Sequence, residues 1–73
     1  MSSEDDIKRR FGERLRALRQ ERDLSQEELA FKAGLHRTYL SSTERGERNI
    51  ALVNIHRLAR ALEVDIVELF RGL

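Results

Sequence analysis

The chain has 73 residues, no proline and no cysteine, and its 14 basic side chains nearly balance 13 acidic ones for a net charge of +1. That length allows one domain, which buries only ~60% of its unfolded surface, and the lack of cysteine excludes disulfides and thiolate metal sites. No apolar run approaches the ~20 residues that a membrane helix needs.

The N-terminus MSSEDDIKRR lacks a signal-peptide apolar core, so a soluble intracellular protein, expected in the cytoplasm, is implied. His36 and His56 lie twenty residues apart, at no zinc-ligand spacing, and neither a metal nor a cofactor is expected. Charge is distributed unevenly. Residues 35–60 carry Arg37, Arg45, Arg48, Arg57 and Arg60 against Glu44 and Glu47, whereas residues 61–73 carry Arg71 against Glu63, Asp65 and Glu68. Positive charge therefore gathers in the middle of the chain and acidic charge at its C-terminal end.

Apolar residues recur at three- and four-residue spacing almost throughout, the helical period. Ile7, Phe11, Leu15 and Leu18 form a stripe that predicts helix one over about Asp5 to Arg22. Ser25 and Glu28 form an S-x-x-E capping box, so helix two starts at Gln26, buries Leu29, Ala30 and Ala33, and stops at Gly34, a natural left-handed terminator. Helix three is expected from His36 or Arg37 to Arg45, ending at Gly46. Helix four is expected over about Leu52 to Leu62, with Leu52, Ile55, Leu58, Ala59 and Leu62 buried. Asp65 and Glu68 read as a second capping box opening a short helix five with Ile66, Leu69 and Phe70. No strand has a partner, and an isolated strand cannot satisfy its own backbone. The expected fold is all-α, a compact five-helix bundle in a single domain over residues 1–73.

Helix three is the unusual element, because Thr, Tyr and Ser are weak helix formers. Wound at about 100° per residue, it places Arg37, Thr38, Ser41, Ser42 and Arg45 on one side, and Tyr39, Leu40 and Thr43 on the other. The outer face is short, polar and rich in donors, with an arginine at each end. A DNA major groove ~12 Å wide accepts such a helix, arginine can pair with guanine O6 and N7, and Ser or Thr can serve any base. A short turn containing glycine joins the preceding helix to it, as in a helix-turn-helix. The plain alternative for this face is solvation.

The stretch LSQEELAFKAGLHRTYLSSTERGERN resembles the helix-turn-helix of the phage-repressor (Cro/cI-like, Xre) family, with Gln26, Ala30, Gly34 and Leu40 at its spacing of four, four and six. The likeness extends from RLRALRQERDLSQEELA upstream to IHRLARALEVDIVELF downstream, roughly residues 11–71. Within the family, LHRTYLSSTERGERN resembles the small controller proteins of restriction–modification systems. The resemblance implies the lambda-repressor-like fold, with the motif over about residues 25–46. It implies base contacts from Arg37, Thr38 and Ser42, with Ser41 nearby. It implies phosphate contacts from Gln26, Tyr39, Arg48 and Asn49, and Arg45 and His36 are close enough to join them. Tyr39 fits equally a core aromatic with its hydroxyl at the surface. The resemblance also implies a structural ion pair between Arg19 and Glu44. Three departures stand out: Asp23 at a site suited to a left-handed residue, Thr43 where an apolar residue is usual, and Ile50-Ala51 in place of a frequent proline.

Family members bind as two-fold dimers on half-sites about one helical turn apart. The apolar residues left after the core is filled are Ile50, Val53, Ile66, Val67, Phe70 and Leu73, and a homodimer interface is expected there, remote from the DNA face. Ile66 and Phe70 could instead complete the monomer core. The resulting expectation is a sequence-specific transcriptional regulator, a repressor or activator binding double-stranded DNA at a palindromic operator. Acidic residues near Glu44, Glu47 or the start of helix two are candidates for meeting RNA polymerase. A second reading is a protein-interaction module such as an antitoxin or anti-repressor; such proteins usually add a disordered or neutralising segment, which this sequence is expected to lack. An enzyme is not expected, because no acid pair lies near a histidine and no phosphate-cradling glycine loop is present.

Overall fold

The computed structural model describes residues 3–73. Four α-helices, α1 (Ser3–Glu21), α2 (Gln26–Ala33), α3 (Arg37–Glu44) and α4 (Leu52–Leu62), are followed by a 3-10 helix (Ile66–Phe70). Among the described residues there is no strand, and no helix is long and apolar enough to cross a membrane.

Local chemistry explains where each element begins and ends. Glu4, Asp5 and Asp6 occupy the first turn of α1, where carboxylates favour the helix dipole. Asp6 then anchors Arg9 at 2.7 Å and Arg10 at 3.0 Å, one helical turn away. The chain leaves α1 through Asp23, whose φ of 53° is left-handed, so this departure from glycine is accommodated at the site where it was noted. Both halves of the Ser25 capping box form, Glu28 N–H to Ser25 Oγ at 3.0 Å and Ser25 N–H to Glu28 Oε1 at 2.9 Å. The backbone bond and the hydroxyl of Ser25 hold the Glu28 carboxyl below its usual range. Gly34 ends α2 at φ 70°, a conformation that glycine adopts without penalty.

The core consists of Phe11, Leu15 and Leu18 of α1, Leu29, Ala30 and Ala33 of α2, Leu40 of α3, Ile55, Leu58, Ala59 and Leu62 of α4, and Leu69. Two expected core positions lie outside it. Ile7 is 54% exposed, lining a surface groove with Ile50 and Leu73, and Leu52 is 72% exposed at the first position of α4. Thr43 is fully buried despite its hydroxyl, which donates to Tyr39 O at 2.8 Å and so carries no unsatisfied polar group into the core.

The second capping box does not form, and helix five is 3-10 rather than α. The Asp65 side chain makes no cap bond. Glu68 N–H bonds instead to Asp65 O at 2.9 Å, and the Glu68 carboxylate is taken by Arg14 at 3.3 Å and Arg71 at 2.6 Å. Arg14 Nε also donates to Glu68 O at 2.8 Å, so the C-terminal turn is tied to α1 by a side chain outside its apolar stripe. Arg22 does the same for α4, with Nε donating to Leu62 O at 2.7 Å.

Gly12 governs how α1 meets α3. A Cβ there would lie 2.5 Å from Glu44 O and 2.6 Å from Thr43 O. The two helices therefore touch backbone to backbone at this point, which only glycine permits.

Candidate nucleic-acid interface

The turn between α2 and α3 is short because Gly34 reverses the chain and Leu35 N–H closes onto Ala30 O at 2.9 Å. His36 then starts α3 in an extended conformation without a side-chain cap. With Leu40 and Thr43 sunk in the core, the opposite side of α3 is turned out. Arg37 and Thr38 are exposed at the first turn of the helix.

The ion pair expected between Arg19 and Glu44 is present and buried. Glu44 accepts from Arg19 Nε at 2.7 Å and from Arg19 Nη2 at 3.0 Å. Its side chain is only 3% exposed. Gln26 Nε2 donates to the same carboxylate at 3.0 Å, and Arg19 Nη1 donates to Leu24 O at 2.8 Å. One carboxylate thus joins α1, α2 and α3 and fixes the angle at which α3 is presented. Gln26, expected at a phosphate, spends its amide on this network. Glu44 is equally unavailable as an acidic contact for polymerase, whereas Glu47 and, at the start of α2, Glu27 are exposed.

Ser42 departs from expectation. It lies on the polar arc of the helical wheel, but it is buried, 5% exposed. It sits at the far edge of that arc, and the loop after α3 runs back along this edge, with Glu47 N–H on Ser42 O at 3.0 Å. Its hydroxyl donates to Tyr39 O at 3.0 Å and accepts from Arg48 Nε at 2.8 Å. Ser42 is therefore not placed to read a base. Ser41 is half-buried, and its oxygen accepts from Arg45 Nη1 at 2.6 Å. Arg45 turns its other nitrogens to Glu47, at 2.9 and 3.2 Å. That bond raises the Arg45 pKa and lowers that of Glu47, so both are charged at neutral pH.

Tyr39 lies between core and surface. Its ring is half-buried, and its hydroxyl accepts from Asn54 Nδ2 at 3.2 Å. The Arg48 guanidinium lies over the ring, 5.4 Å from its centroid. His36 and Asn49 are exposed on the same two segments, the start of α3 and the loop after it. Sequence reasoning missed Asn54, because nothing in the helical period of α4 shows that its first turn docks beside Tyr39.

Of the apolar set expected at a dimer interface, Ile50, Phe70 and Leu73 share a groove of about 150 Å³ with Ile7 and Phe11. Val53 and Val67 are exposed, and Ile66 and Phe70 are partly so. Phe70 also packs on Phe11, ring centroids 5.8 Å apart, so it serves core and surface together. Arg48 and Asn49 line the same groove; this apolar patch adjoins the loop after α3 instead of lying remote from it. The sequence reading gave no role to Phe31, yet it is 87% exposed on α2.

A helix-turn-helix family model matches residues 15–69. The chain belongs to the helix-turn-helix family. Its function is that of a DNA-binding regulator. It is 49% identical over 67 residues to control protein C.MunI of Mycoplasma sp, covering 90% of each chain. It is 45% identical to control protein C.BamHI of Bacillus amyloliquefaciens, over 84% of this chain and 76% of that one. The crystal structure of the restriction-modification controller protein C.AhdI from Aeromonas hydrophila superposes with a TM-score of 0.86 at 54% identity, covering 89% of this chain and 97% of that one. The helix-turn-helix assignment drawn from Gln26, Ala30, Gly34 and Leu40 agrees with all three.

Proposed function

We propose that this chain is a sequence-specific regulator that binds a palindromic operator as a homodimer and controls the genes of a restriction–modification system. The observation that carries the DNA-reading part is the start of α3. Arg37 and Thr38 are exposed there, and among the described residues neither has a side-chain hydrogen-bond partner. The helix beneath them is locked by Leu40, Thr43 and the Glu44 network. Arg37, Thr38 and Ser41 face base edges in this reading, while Tyr39, Arg45, Arg48, Asn49 and His36 face phosphates. The restriction–modification setting is supported by the control proteins the chain is similar to. Dimerisation is supported by the groove of Ile7, Ile50, Phe70 and Leu73, an apolar concavity at the surface.

The test is selection of duplexes from a random pool, followed by footprinting and sedimentation of the complex. Two half-sites about one helical turn apart with two chains bound are expected. Arg37→Ala is expected to cost ~1–3 kcal/mol per half-site and to relax preference at one base pair. Affinity should fall with salt by ~0.9 log unit per phosphate neutralised per log of salt. A flat salt response, or an equal loss on every sequence after Arg37→Ala, contradicts the reading.

Glu47 gives a prediction of opposite sign. It holds Arg45 on the proposed DNA side and adds a negative charge there. Glu47→Gln removes both effects, and a several-fold tighter complex is expected at low salt. The gain should vanish as salt screens the site; unchanged or weaker binding at low salt would show that Glu47 instead helps to position Arg45.

A further inference from the structure

Four side chains at the junction of α3, its following loop and α4 form one unit that the regulator reading does not explain. Tyr39 and Ser42 come from α3, Arg48 from the loop and Asn54 from α4. Arg48 stacks on the Tyr39 ring and gives its Nε to the buried Ser42 hydroxyl at 2.8 Å. Asn54 gives Nδ2 to the Tyr39 hydroxyl at 3.2 Å.

The direction of these bonds matters. With Nε occupied, the two Nη groups of the exposed Arg48 have no hydrogen-bond partner among the described residues. Because Asn54 donates to the phenol oxygen, the phenol hydrogen stays available for an acceptor outside the protein. The two bonds occupy Arg48 Nε and one acceptor site of the Tyr39 hydroxyl, and leave the Arg48 Nη groups and the phenol hydrogen as donors for an outside acceptor. A donor pair with a fixed cation fits a phosphate oxygen and does not distinguish among bases.

We propose that Ser42 and Asn54 are positioning residues which set Tyr39 and Arg48 as a single preformed clamp for one backbone phosphate. The proposal rests on the DNA-binding reading above and deepens it, since it moves Ser42 from reading a base to holding a phosphate contact. Preforming the clamp reduces the side-chain ordering that binding would otherwise cost.

Double-mutant cycles test this, with a selected operator duplex and an unrelated duplex of equal length as probes. Ser42→Ala and Asn54→Ala are each expected to weaken both duplexes by about three- to ten-fold, the range of one hydrogen bond. Ser42→Ala should add nothing in an Arg48→Ala background, and Asn54→Ala nothing in a Tyr39→Phe background. In the free protein, the Arg48 Nε–H proton should exchange slowly by NMR and become fast in Ser42→Ala, a readout independent of DNA. Losses confined to the operator duplex, additive cycles, or unaltered Arg48 Nε–H exchange in Ser42→Ala overturn the clamp. A wild-type chain that binds neither duplex in a salt-dependent way overturns the regulator reading, and the clamp falls with it.

Discussion

Glu44→Ala is expected to destabilise the domain by ~3–5 kcal/mol, the cost of stranding one member of a buried ion pair. Three helices converge on this carboxylate, which takes two bonds from Arg19 and one from Gln26. Removal leaves the Arg19 guanidinium, itself about 10% exposed, with no counter-charge where water cannot replace it. A small domain has a total margin of only ~5–15 kcal/mol, so a single substitution takes much of it. The measurement is urea or thermal unfolding of wild type, Glu44→Ala, Arg19→Met and the double variant Arg19→Met with Glu44→Leu. The double variant should recover most of the loss, because apolar residues of similar volume commonly equal or exceed a buried pair. A loss under about 1 kcal/mol in Glu44→Ala, the range of an exposed pair, would mean that the network is solvated and does not set the angle of α3.

Gly12→Ala is the second large effect, and its sign opposes helix propensity. At an ordinary helix interior position, alanine is better than glycine by about 1 kcal/mol. Here the new methyl would meet two main-chain carbonyl oxygens, of Thr43 and Glu44, at 2.6 and 2.5 Å. Backbone atoms cannot swing aside as a flexible side chain can, so α1 and α3 must separate. Overpacking of this kind costs ~1–3 kcal/mol, occasionally more, and the separation also lengthens the Arg19–Glu44 bonds. A fall in melting temperature of about 4–8 °C per kcal/mol is expected for a domain of this size. Arg16→Ala, on the exposed face of α1, serves as the control and should stay within about 0.5 kcal/mol of wild type. Melting of Gly12→Ala at or above the wild-type temperature would remove the close approach from the account.

The two effects share a consequence for recognition. The reading helix has only eight residues, a length that is marginal in isolation. Its inner face offers Leu40 and Thr43 and little else, so its orientation comes from what surrounds it. Gly12 sets how near α1 lies, and Glu44 sets the angle between α2 and α3. Substitutions at either position should therefore lower DNA affinity even under conditions where the chain stays folded.

The sequence alone determined the order and ends of α2, α3 and α4, because these follow from near-neighbour chemistry. The Ser25–Glu28 cap, the left-handed Gly34 and the apolar spacing of α4 act within a few residues of one another. The Arg19–Glu44 pair and the outward Arg37 and Thr38 were also legible, the pair through the family resemblance and the other two through the helical period. Only the tertiary structure decided the rest. Ser42 lies on the polar arc of its own helix and is buried by a loop that the helical wheel does not contain. Asp65 and Glu68 satisfy the spacing of a capping box, but Arg14, 54 residues away from Glu68, competes for both the carboxylate and the carbonyl. Gly12 looks like an ordinary weak point in a helix until α3 is laid against it. In each case the deciding partner is distant along the chain, and periodicity reports which way a side chain leaves its own helix, not what the fold brings to meet it.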